Sequence, residues 1–260
     1  MQPFSFAGVP SAVIATAIHA GHHMRPDVAA RCALDDATRL REEDPFTDRL
    51  LEVATLQVVA HRSRFEVDLN RPREQAVYRV PDDAWGLDVW REPLDDEQVE
   101  HSLQVYDAFY AELARRLDEL AARGPFVVLD VHSYNHRRDG PDAPPAPAAS
   151  NPEVNVGTGS LDRPRWGRVV DRFVEELGRR TALGRLLDVR ENVRFRGGEL
   201  TRWVHQRYGE RGCALAIEFK KTFMDEWTGA VDDRHLEELR QGLAAIVPAL
   251  LAELDSVRHS

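Results

Sequence analysis

Between Val99 and Leu120 the apolar side chains Val99, Leu103, Tyr106, Tyr110, Leu113, Leu117 and Leu120 fall alternately four and three residues apart. That spacing gathers them on one face of a helix, and the pattern predicts a helix from about Asp96 to Arg123. Asp95 or Asp96 can cap its start, Gln98 stands where a capping box beginning at Asp95 needs it, and Gly124-Pro125 closes the other end. The same period runs from about Asp232 to Leu254 through Leu236, Leu239, Leu243, Ile246, Leu250 and Leu254, with Pro248 expected to kink the helix. Further helical patterns cover Asp27 to about Arg41, about Pro164 to Arg180, and Glu199 to Arg211.

Short apolar runs mark the strands. Val13 to Ile18, Thr55 to His61, Phe126 to Val131 and Cys213 to Phe219 read as buried strands, and Phe65 to Leu69 as a short extended piece. Phe126 to Val131 has the continuous apolar character of a central parallel strand covered on both faces. Residues 72–93, with Trp85 and Trp90, are mixed in polarity and read as irregular, while Gly140 to Pro152 carries five prolines and reads as a loop or flap. Strands separated by helices predict an α/β fold: a single domain over residues 1–260 with a mixed, mostly parallel central sheet and helices on both faces. Sites in such sheets form at the carboxyl ends of strands.

Composition narrows the function classes. The chain has 34 Lys plus Arg against 44 Asp plus Glu, a formal charge of −10, so its surface should repel phosphate backbones and nucleic acid is not an expected partner. Cys32 and Cys213 are too few for a disulfide framework. With no signal-peptide pattern at the N-terminus and no apolar run near the roughly 20 residues needed to cross a bilayer, the expected setting is the cytoplasm, with no membrane partner. Homo-oligomerisation is left open.

The candidate chemistry gathers at strand ends. The run from Val13 stops at His19, His22 and His23 around Gly21, the strand beginning at Phe126 ends in His132-Ser133, and Glu218 is a charge inside Ala-Leu-Ala-Ile-Glu-Phe. Imidazole is a preferred zinc ligand, and a catalytic zinc (Zn2+) keeps three protein ligands and leaves a fourth position to water, whose pKa falls to near ~7. His19, His22 and His132 are the candidate ligands. His23 competes with His22, since His19 and His23 would share a face if this segment were helical, and Glu43 or Asp44 enters if the loop turns His22 away. A buried carboxylate is costly unless it has a task, which makes Glu218 the candidate general base. Asp68 reads as an orienter of Arg71 or of a backbone turn.

His19-Ala-Gly-His22, Ser63-Arg64-Phe65-Glu66-Val67-Asp68-Leu69-Asn70-Arg71, Asp130-Val131-His132-Ser133, Gly197-Gly198 and Ile217-Glu218, in that order, resemble the N-formylglutamate amidohydrolase family over most of the chain, from about Ala12 to Phe223. That family is similar in fold to zinc carboxypeptidases. The resemblance implies a carboxypeptidase-like fold, a metal held by His19, His22 and His132, Glu218 as base, and Asn70-Arg71 as the clamp for a substrate carboxylate. His22 stands where carboxypeptidases have glutamate. Beside these, Arg64 can face a developing oxyanion and Arg196, on its glycine turn, can reach a second carboxylate. The expectation is a zinc-dependent hydrolase that cleaves the amide of an N-acyl amino acid such as N-formyl-L-glutamate, a small carboxylate-bearing substrate. The alternatives are a carboxypeptidase or deacylase acting on a peptide or specialised metabolite, and a non-catalytic binding protein that keeps the pocket.

Overall fold

The structure, a computed structural model, describes residues 2–258. Its strands are β1 (Phe4–Gly8), β2 (Val13–Ala17), β3 (Leu56–Ala60), β4 (Phe126–Tyr134), β5 (Val154–Gly157), β6 (Thr181–Ala182), β7 (Arg185–Leu186), β8 (Val189–Glu191) and β9 (Gly212–Lys220). The helices are α1 (Pro26–Ala29), α2 (Asp36–Glu42), α3 (Asp96–Ala121), α4 (Arg163–Gly178), α5 (Glu199–Tyr208), α6 (Asp233–Ala244) and α7 (Val247–Arg258).

A seven-stranded sheet runs in the order β1-β3-β2-β4-β9-β5-β8. The four central strands β3, β2, β4 and β9 are mutually parallel, β1 is antiparallel at one edge, and β5 with β8 reverses direction at the other. Strand alternation sends side chains to two layers. Val13, Ala15 and Ala17, with Val127, Leu129 and Val131 and with Cys213, Leu215 and Ile217, pack on α4, α6 and α7. Ile14, Val128 and Ala214 face the other way, onto Phe109, Leu113 and Leu117 of α3 and Leu200 and Val204 of α5. The fold is thus mixed α/β with helices on both faces. Among the described residues no helix is long and apolar enough to cross a membrane.

The longest helix, α3, starts as its pattern predicts: Gln98 N–H donates to Asp95 Oδ1 at 2.8 Å, and Asp95 N–H donates to Gln98 Oε1 at 3.1 Å. β4 and β9 pair residue for residue from Phe126↔Gly212 to Tyr134↔Lys220. Gly212 permits the start of that ladder, because a Cβ there would come within 2.3 Å of the Phe126 ring.

Several expectations are corrected. The helix expected over Asp27 to Arg41 is two, α1 and α2. Between them Ala33 N–H bonds to Val89 O at 2.8 Å, and Asp35 then caps a new start by accepting from Thr38 N–H at 2.7 Å. The C-terminal helix also divides, with Pro248 in the first turn of α7, where its missing N–H costs nothing. Phe65 to Leu69 is a turn rather than an extended piece, its apolar side chains buried.

α5 contributes a pH-sensitive contact to the sheet. Ala214 N–H donates to His205 Nε2 at 2.9 Å, and Nδ1 lies 2.7 Å from Ser160 Oγ, so the ring is used neutral. Burial lowers the His205 pKa from 6.5 to about 4. The native state therefore resists a proton that the unfolded chain accepts: the contribution is full above pH 6.5 and is lost as pH falls toward 4. Urea titrations at pH 7 and at pH 4 should show His205 removing about 3 kcal/mol over that interval. H205Q should flatten this part of the dependence, and an unchanged slope would contradict the assignment.

Candidate metal centre

All four central parallel strands end on the same side of the sheet, and the candidate residues collect there. His19 lies two residues beyond β2, His132 is the seventh residue of neighbouring β4, and their rings meet with centroids 4.9 Å apart. Asp44 arrives just after α2, its N–H bonded to His19 O at 2.9 Å. Its Oδ2 sits 3.0 Å from His132 Nδ1 and 3.4 Å from His19 Nδ1. One ligand atom from each of the three residues lies within 4.8 Å of the others, and all three are buried.

Each imidazole is backed by a carboxylate on its far nitrogen. His19 Nε2 is 2.7 Å from Asp68 Oδ1, and His132 Nε2 is 3.0 Å from Asp130 Oδ2. This is how metal-binding histidines are oriented: the outer contact fixes the ring and leaves the opposite nitrogen as a lone-pair donor. The backing groups are themselves held. Thr16 Oγ1 donates to Asp130 at 2.6 Å, while Arg64 Nη2 at 2.8 Å, Tyr78 OH at 2.5 Å and Asn70 N–H at 2.8 Å donate to Asp68. Asp68 thus orients a turn, as expected, and also His19; Arg71 Nε stays 3.9 Å away.

The electrostatics call for positive charge. Burial alone would raise the Asp44 carboxyl, yet hydrogen bonds from His132 and His19 outweigh it and hold the pKa far below the usual carboxylate range. Burial alone would lower the His132 imidazole, yet Asp130, Asp44 and Glu218 hold it well above its ordinary value. Two imidazole Nδ1 atoms and one carboxylate, converging in a buried and strongly anionic pocket, fit the donor set of a three-ligand zinc site.

His22 is not part of this group. Its Nδ1 is 2.5 Å from Glu43 Oε2 and its Nε2 is 3.1 Å from Arg39 Nη2, with the side chain 37% exposed. The cause is local. Gly21 packs so closely on the next strand's exit that a Cβ would lie 2.3 Å from the His61 carbonyl carbon, and His23 pairs with Arg62, which turns His22 toward α2. His23 is exposed to solvent. Glu43 is buried but spent on His22 and on Ser63 Oγ, so of the two acidic alternatives Asp44 completes the cluster.

Glu218 stands beside His132 because the β4–β9 register pairs the two residues. Burial pushes its pKa up to about 7, with Asp44 and Asp130 acting in the same direction and His132 against it. A carboxyl so poised can take and return a proton near neutrality.

Glu218, His19, Asp44 and His132 open onto a cleft that Arg64, Asn70, Arg71 and Arg196 also line. Arg64 is fixed by Asp68 and by Tyr78 OH at 3.2 Å, its guanidinium 4.7 Å above the Trp85 ring. Arg71 donates to Asp83 O at 2.9 Å. Asn70 accepts from Leu200 N–H at 3.1 Å through Oδ1, and its side chain fills the space that a Cβ on Gly198 would need, 2.3 Å away. Arg196 is exposed at the rim, beside Gly197 with φ of +105°. Asp130, Tyr78 and Trp85 were not foreseen as site groups. The Asp-Val-His alternation could have revealed Asp130, since strand residues two apart share a face.

Two imidazoles and a carboxylate converging beside a half-buried glutamate, at the strand ends of an α/β sheet, are the layout of metal-assisted hydrolysis. A family model described as N-formylglutamate amidohydrolase matches residues 11–224, and the chain belongs to that family. It is 26% identical to an N-formylglutamate deformylase of Pseudomonas aeruginosa, covering 91% of this chain and 90% of that protein. The crystal structure of an N-formylglutamate amidohydrolase from Ralstonia eutropha superposes with a TM-score of 0.73 at 19% identity, covering 100% of this chain and 99% of that one. A gene product of Agrobacterium tumefaciens superposes at 0.70 with 17% identity, over 98% and 97% of the two chains. These two structures share the fold.

The geometry separates the candidate ligands experimentally. Elemental analysis of protein purified without chelator should find transition metal in the wild type and in H22A, and should find it lost in D44A. Metal lost in H22A and kept in D44A would reverse the assignment.

Proposed function

We propose that this chain hydrolyses the amide of an N-acylated, carboxylate-bearing amino acid, with N-formyl-L-glutamate as the representative substrate and zinc as the ion at His19, Asp44 and His132. The observation that carries the reading is the half-buried Glu218 held in register with His132 at the mouth of the cleft. When bound, zinc supplies Lewis-acid polarisation of the scissile carbonyl and acidifies water at neutral pH. Glu218 takes the proton from the attacking water and delivers it to the leaving nitrogen, so formate and the free amino acid depart. Arg64, rigid between Asp68, Tyr78 and Trp85, offers its positive charge to the developing oxyanion. Arg71, with Asn70 beside it, anchors one substrate carboxylate. The Arg196 guanidinium, free at the rim, receives the second.

Membership of the amidohydrolase family supports the reaction class. The arginines support a dicarboxylic substrate. Formate release from N-formyl-L-glutamate tests both. E218Q should retain metal and lose about 100- to 10,000-fold in kcat; full turnover in that variant would overturn the mechanism. R196A should raise KM for N-formyl-L-glutamate about 10- to 100-fold, the worth of one charge-assisted contact. It should leave KM for N-formyl-L-alanine, which lacks the second carboxylate, close to the wild-type value, and equal losses on both substrates would remove Arg196 from this role.

A further inference from the structure

Lys221 has no part in the reaction derived above, yet it is 1% exposed and borders the cleft. A buried ammonium is costly unless its protons are used. Two of them are: Nζ donates to Arg41 O at 2.5 Å and to Glu43 O at 2.7 Å. Arg41 lies in the last turn of α2 and Glu43 is its C-terminal cap. Carbonyls in that position lack partners within the helix and carry the negative end of its dipole, so a cation is the group they favour.

Two further contacts place this cap against the metal centre. Lys221 N–H bonds to Tyr134 O at 3.0 Å, so the lysine backbone is anchored to the strand that carries His132. The carbonyl it grips on Glu43 immediately precedes Asp44. The segment on the far side of Asp44 is pinned as well, since Thr47 Oγ1 donates to Asp44 O at 2.7 Å. Asp44 therefore has a short backbone tether on each side, and the Lys221 tether joins its backbone to β4 and the end of β9, while His132 and Ser133 of β4 contact its carboxylate at 3.0 and 3.3 Å.

We propose that Lys221 is a positioning residue for the metal centre, a cationic cap on α2 that holds the Asp44 carboxylate at the distance where it meets His19 and His132. The inference rests on the metal-centre reading of those three residues. It predicts that loss of the ammonium weakens metal binding while all three ligands remain in the chain. A purely structural lysine would instead lower the melting temperature of the metal-free protein and leave the affinity of the folded protein intact.

The experiment is zinc titration of the metal-free full chain against a chromophoric chelator, with thermal melting of the same samples. K221M should bind zinc about 10- to 100-fold more weakly than the wild type, the range for losing a group that orients a ligand. If K221M does not fold, K221Q, which keeps a neutral donor, replaces it and should fall between. Wild-type zinc affinity in whichever variant folds would overturn the proposal and leave the metal centre standing. A wild-type protein that binds no zinc would overturn both.

Discussion

The parallel pairing of β4 with β9 is the constraint on which the site depends. His132 and Glu218 come from positions 86 residues apart, and no local turn could bring them together. The ladder does so by register, and a slip of one residue in either strand would send that strand's side chain to the opposite face, away from the other. Nine matched positions make such a slip expensive, because every apolar residue of the slipped strand would change layers with it. The helices on the two faces thus guard the chemistry as well as the core.

The site spends stability to hold charge. Asp44, Asp68 and Asp130 are removed from water within one small region beside the half-buried Glu218, offset by two imidazoles and the Arg64 guanidinium. A core built for stability alone would put apolar groups there. The surrounding network, from Thr16 through Tyr78, holds Asp68 and Asp130 in place, and these two carboxylates fix the His19 and His132 rings through Nε2. Preorganisation of this kind is where a hydrolytic centre gains, since little reordering accompanies binding.

Much of this was legible in the chain. The heptad-like run in α3, its capping box and the four central strands follow from period and apolar content, and strand-end histidines are visible once the strands are placed. The third member of the His19 and His132 cluster was not. His19 and His22 share a spacing that suits one loop, but that loop is turned by contacts with His61 and Arg62, forty residues away, and spacing carries no record of them. Asp44 is one of two acidic alternatives in the sequence, with Glu43, and only the end of α2 beside His19 separates them. The short strands β5 and β8 escape for a related reason: four and three residues have too little period of their own, and their partners define them.

The reversal of β5 against β9 has a consequence for how such a molecule can change over generations. Val154 pairs with Phe219, so the chain leaves β4 at Tyr134 and re-enters the sheet at the same rim. The connection between them begins at the cleft, which Asn135 and Arg138 line, and its proline-rich part lies outside the ladders of the sheet. Closing a longer or shorter excursion between two fixed posts costs only a slowly growing entropy. Exchange of that stretch can therefore change the length of the excursion while the ladder that aligns His132 with Glu218 is inherited unaltered.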